Sequence, residues 1–192
     1  MVRKGILLIS AAFAFGLLLG GATFFFRNQI IEPADRTHAE THPAWTEVKW
    51  PFLMDQWGKG AAFHCHADTC GREVNVYLRA KIGFCNCTTG VSDDEELDRV
   101  GDVSLLDDKY APLAEGHPVR IGKMQGRSRP YLVPRVSAGA STSVLAIAFN
   151  DRCDVVVATA VVDREPAAIE PAVLAFLNGE VVSHWVKLAL GL

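Results

Sequence analysis

The side chains best equipped for chemistry in this sequence are its cysteines and the histidines beside them: His64-Cys65-His66, Cys70, Cys85-Asn86-Cys87 and Cys153. Thiolate and imidazole suit a soft or borderline metal, and His64, Cys65, Cys70, Cys85 and Cys87 are the candidate ligands for Cu or Zn. Successive strand residues point to opposite faces, so His64, Cys65 and His66 cannot all reach one ion. In an exported domain the same cysteines would pair instead, and five allow at most two bridges with one thiol over. Cys65 and Cys70 flank an expected hairpin turn and suit a local bridge, which leaves Cys85 or Cys87 to reach Cys153. Cys85 and Cys87 lie too close along an extended chain to bridge one another comfortably. The pairing stays open. The absence of C-x-x-C and C-x-x-C-H argues against thiol-redox chemistry and c-type haem.

Other chemical signatures are missing. The chain has no G-x-S-x-G, H-E-x-x-H, G-x-G-x-x-G or P-loop pattern, and Gly122-Lys123 lacks the glycine spacing of a phosphate loop. Ser183-His184 falls on a helix and Ser141 to Ser143 opens a strand, so no catalytic residue is assigned. No cofactor and no nucleic-acid partner are expected. An unrecognised hydrolase is the alternative that such absences leave open, because triads assemble from distant positions.

Charge is segregated. Asp93 to Asp108 holds eight acids against Arg99 alone, whereas Gly116 to Asn150 has no acid but contains Arg120, Lys123, Arg127, Arg129 and Arg135. One expectation is an acidic helix lying beside a basic hairpin and neutralising it. The other is a basic face, with Arg120, Lys123, Arg127 and Arg129 meeting anionic headgroups or an acidic partner.

These residues must be placed by a domain whose export is written at the N-terminus. Gly5 to Phe26 carries no charge, and its length as a helix, about 33 Å, spans a hydrocarbon core. Arg3 and Lys4 precede it, so the positive-inside rule leaves the N-terminus in the cytoplasm and exports the rest. In a bacterium this means a single-pass inner-membrane protein with a periplasmic domain. A cleaved signal peptide is the rival reading, and it exports the domain equally. Ala12, Gly16 and Gly20 line one face of the span, where another helix can approach closely. The resulting division is an anchor at 1–26, a polar stalk at 27–51 with three prolines, and a domain at 52–192. Trp45, Trp50 and Trp57 mark where the core begins.

Within the domain, Val74 to Phe84 alternates apolar and polar, the mark of a strand with one wet face, and Ala61 to His66 is its hairpin partner. Ser92 and Glu95 fit a capping box for a short helix to Val100. Val119 to Met124 and Pro130 to Val136 read as strands about a turn at 125–128, driven to a sheet edge by Pro130 and Pro134. Val144 to Phe149 and Val155 to Val162 are continuously apolar strands covered on both faces. Glu165 to Leu177 and Glu180 to Leu190 are helical, with Val181, Trp185, Leu188 and Leu192 forming the stripe expected to pack on the sheet. The fold class is α+β: a mainly antiparallel sheet of about six strands packed by two or three helices. This order is similar to that of lumenal or membrane-tethered α/β/α sandwiches of the PsbP type, a likeness of topology that carries no site. With an anchor, a stalk, segregated charge and no catalytic motif, the expected role is that of an accessory or interaction domain, its partners the membrane lipid and another envelope protein.

Overall fold

The computed structural model describes residues 45–134, 141–163 and 165–192. The expected anchor with Gly16 and Gly20, most of the expected stalk, and Arg135 lie outside the described residues. Among the described residues there are eight strands: β1 (Thr46–Val48), β2 (Ala61–Cys65), β3 (Val74–Lys81), β4 (Ala111–Pro112), β5 (His117–Ile121), β6 (Met124–Pro134), β7 (Ser141–Asp151) and β8 (Asp154–Val162). Four α-helices accompany them: α1 (Ala67–Cys70), α2 (Asp94–Val100), α3 (Glu170–Leu177) and α4 (Glu180–Leu190). The fold is α+β, as expected, with more strands than the sequence suggested. One of them, β1, falls inside the stretch that reads as stalk.

The strands form one antiparallel sheet in the order β1-β2-β3-β8-β7-β6-β4, with β5 pairing β6 beside β4. The long apolar hairpin of β7 and β8 is its centre, registered from Ser143 opposite Val162 to Asp151 opposite Asp154. Side chains alternate between the two faces. On one face Phe63, Val76, Leu78, Leu145, Ile147 and Phe149 meet Val173, Leu177, Val182 and Val186 of α3 and α4. On the other, Leu97 and Val100 of α2 cover Ala148, Val155 and Val157. Both faces of β7 and β8 are therefore dry, as their unbroken apolar runs require.

Four local readings are corrected. The odd positions of β3 are not wet: Arg79 and Lys81 are buried, because α2 and the segment 50–58 close over that face. The turn expected at 125–128 lies at Gly122-Lys123, where Gly122 has φ +58°, and 125–128 belongs to β6. Gly126 is there for closeness: a Cβ at that position would sit 2.1 Å from the Ala148 carbonyl oxygen and 2.7 Å from Phe149 Cα. The β5–β6 pair does stand at the sheet margin, as expected, with β5 outermost, and Pro130 falls between the stretches of β6 paired with β5 and with β4, where its missing N–H leaves no ladder partner unmet. Asp93, not Ser92, caps α2, accepting the Glu96 N–H at 2.8 Å.

The fourth correction is the rotation of α4. Val182, Val186 and Leu190 face the sheet, while Val181, Leu188 and Leu192 point outward, 62, 71 and 57% exposed. Trp185 lies between and is partly buried. At about 100° per residue the apolar residues of α4 cover an arc of roughly 200°, about twice what one packed surface needs. Val182, Val186 and Leu190 took the sheet, and the remaining half of the arc has no partner among the described residues.

Candidate functional site

That outward flank of α4 is an apolar surface that folding leaves unexplained. Gly179, in extended conformation, breaks the chain between α3 and α4, and the two helices meet at a bend of 59°. On one side of the bend Trp45 stacks on Phe176 with ring centroids 4.4 Å apart, and Val181 borders the groove beside them. On the other side a groove of about 500 Å³ runs between the β5–β6 turn and α4, floored by Ile121, Met124, Leu177 and Val186. Leu192 closes its end, and Lys123 and Lys187 stand on its rim. Asp151, also on the rim, is engaged by Arg152 at 3.5 Å. Among the described residues neither lysine has an ion-pair partner, so the groove presents an apolar floor under net positive charge. Ser183 lies beside Lys187 and Asp151, but among the described residues no hydrogen bond joins them, and no nucleophile is paired with a base there.

The basic stretch divides. Arg127 donates to Asp94 and to the Gly116 carbonyl, the latter at 2.8 Å, and Arg129 Nη1 lies 3.0 Å from Asp98 Oδ2. Tyr131 donates to the other Asp98 oxygen. The acidic helix and the basic hairpin thus neutralise one another. Burial opposes ionisation of Asp94, but Arg127 and the Gly116 N–H outweigh it and hold its carboxyl below the ordinary value. Of the four candidate basic contacts, Arg120 and Lys123 remain exposed.

A second polar cluster is internal except at Asp55, whose side chain is 40% exposed. Arg79 forks onto Asp102 at 2.8 and 2.5 Å and reaches Asp55, while Lys81 donates to the Val100 carbonyl at 2.6 Å and pairs with Asp102 at 2.8 Å. Trp57 and Phe84 lie under the Lys81 ammonium. Burial lowers the Lys81 pKa, and Asp102 offsets part of that. Sequence reasoning missed this cluster because its alternation placed Arg79 and Lys81 in water; the one available signal was the acid Asp102, which follows α2 just past Gly101.

The cysteines settle as two disulfides, Cys65–Cys70 and Cys87–Cys153, with Cys85 as a buried thiol. Two bridges in one domain belong to an oxidising, extracytoplasmic compartment. They also take up three of the four cysteines expected as metal ligands, Cys65, Cys70 and Cys87. Burial, with the charges of Glu96 and Asp154, pushes the Cys85 thiol up to about 11, so it is protonated and inert at neutral pH. His64 and His66 share one side of β2 and its extension, opposite Cys65, and converge on Glu73.

No protein-family model and no curated protein matches the chain. Among solved structures it is similar to a Pseudomonas aeruginosa protein of unknown function, PA94, at 14% identity and a TM-score of 0.40, over 70% of this chain and 94% of that one.

Proposed function

We propose that this protein is a membrane-anchored accessory domain, facing the oxidising side of its membrane, that works by binding another envelope protein and has no catalysis of its own. The observation that carries the reading is the half of the α4 apolar arc that folding leaves bare: Val181, Leu188 and Leu192 lie in water beside a groove rimmed by Lys123 and Lys187. An exposed apolar stripe is costly to solubility and marks an interface. The occupant that fits is an amphipathic segment of the partner, its apolar residues on Met124, Leu177 and Leu192 and its carboxylates against the two lysines. The apolar run 5–26 supplies the anchor in this reading, and the disulfides are in keeping with the compartment it implies.

The test uses the full chain in alkali-washed native membranes, in which an anchored protein remains, with a photo-crosslinking amino acid at position 188 or, as a control, at 115. The expected product is one adduct with another envelope protein from position 188, absent from 115 and lost when Lys123→Glu and Lys187→Glu are combined. Adducts only of twice the chain mass, only to lipid, or indifferent to charge reversal would overturn the proposal.

A further inference from the structure

At the end of β2, away from the α4 groove, three donors that metals favour come together. His64 and His66 stand two residues apart, so both project to the same side of the strand direction, and their rings meet edge to face with centroids 4.3 Å apart. Glu73, the residue before β3, comes back across the hairpin between them. Its Oε2 contacts His64 Nε2 and lies 3.8 Å from His66 Nδ1, while its Oε1 accepts the Ala67 N–H at 3.0 Å. The three ligand atoms all lie within 4.8 Å of one another.

Three features make this a prepared arrangement. The Ala67 hydrogen bond fixes the carboxylate plane. The Cys65–Cys70 disulfide closes the hairpin that carries His66, so the chain between His64 and Glu73 is held at its middle. His64 is paired into the ladder opposite Asn75 and Thr46, which fixes the first donor on the sheet. An ion pair with Glu73 would need one imidazole only; the second is placed where a shared cation between the rings would satisfy both.

We propose that His64 Nε2, His66 Nδ1 and a Glu73 carboxylate oxygen form a binding site for a divalent transition-metal ion of the zinc or copper(II) class. Ligands at about 2.0–2.1 Å in a tetrahedron stand about 3.4 Å apart, so the present 3.8 Å needs a shift of a few tenths of an ångström by the exposed His66 ring, while the His64 contact with Glu73 must open by about 1 Å to admit the ion. Two nitrogens and one oxygen favour a borderline ion over calcium or magnesium. The donors occupy one side of the site. The other opens to solvent, since the side chains of His66 and Glu73 are 64 and 49% exposed, leaving positions for water or for a ligand from a partner. The site needs no thiolate and stands independently of the α4 groove.

The test titrates Zn²⁺ and Cu²⁺ into the metal-stripped full chain in detergent, by calorimetry and by EPR of the Cu²⁺ form. One ion per chain is expected, with two-nitrogen hyperfine structure, and with affinity weakened at least tenfold by His66→Ala or by Glu73→Gln. Both residues are exposed, and a free-thiol count of one verifies that each variant keeps its disulfides. A His38→Ala/His42→Ala variant should bind as the wild type does. Absence of stoichiometric binding, binding unchanged by His66→Ala and Glu73→Gln, or binding abolished by His38→Ala/His42→Ala would overturn the assignment.

Discussion

Asp102 is the residue on which the most buried charge depends. It is 4% exposed and answers both Arg79 and Lys81, which are 3 and 4% exposed. Removing one partner of a buried ion cluster leaves uncompensated charge in a poor solvent for it, at a cost of about 3–5 kcal/mol. Asp102→Ala is therefore expected to lower unfolding stability by that amount in urea denaturation, whereas the triple change Asp102→Leu, Arg79→Met and Lys81→Met should recover most of it. A surface role for Asp102 would show as a change below about 1 kcal/mol. The same residues mark the limit of what the sequence discloses at this scale. Arg79 and Lys81 alternate with Leu78 and Ala80 as solvent-facing residues would, and only the later closure of residues 50–58 and 94–105 over them makes them interior. The Cys65–Cys70 bridge was legible from its position about a turn; the choice of Cys87 over Cys85 for Cys153 was not, because it rests on which sulfur the loop 83–92 aims at the β7–β8 turn.

Elements were legible where their period was unambiguous. The hairpin of β7 and β8 and the helices on either side of Asn178-Gly179 stand where their apolar runs and stop signals put them. The β5–β6 connection was misplaced because Gly126 looks like a turn residue, although its task is to let two strands close on Phe149. The two glycines separate experimentally. Gly126→Ala drives a methyl into backbone atoms of β7, an overpacking expected to cost at least about 2 kcal/mol. Gly122→Ala meets nothing within 4 Å and bears only the strain of its positive φ, about 1 kcal/mol. Urea midpoints for the pair should fall in that order, and the reverse order would return the turn to 125–128. The orientation of α4 was not decidable from pattern, since an arc of that width offers two equally apolar stripes; which one the sheet accepts depends on the shapes of Phe63, Val76 and Ile147 opposite it.

For the whole molecule, the two covalent links differ in reach. Cys87–Cys153 spans 66 residues and ties the loop before α2 to the central hairpin, whereas Cys65–Cys70 spans 5. Loop-closure entropy assigns about 4 kcal/mol to the first and about 2 kcal/mol to the second. The Cys87→Ala/Cys153→Ala chain should accordingly unfold at markedly lower denaturant than Cys65→Ala/Cys70→Ala, and equal effects would contradict that account. The antiparallel layout and the α+β class could be read in advance from the successive hairpins β2–β3, β5–β6 and β7–β8; the pairing of β3 with β8, which are not consecutive, could not. The outer strands β1 and β4 could not, being too brief to show a period, and with β5 they have a consequence of their own. Among the described residues the sheet finishes in β1, three residues long, on one side, and on the other in β4, two residues ending in Pro112, and β5, which carries Pro118. Such margins are too brief, and on the far side too proline-broken, to template further backbone pairing. Copies of this domain are thereby discouraged from polymerising by strand addition even at high local concentration, and a partner bound at the α4 groove, as proposed, would be held by side chains.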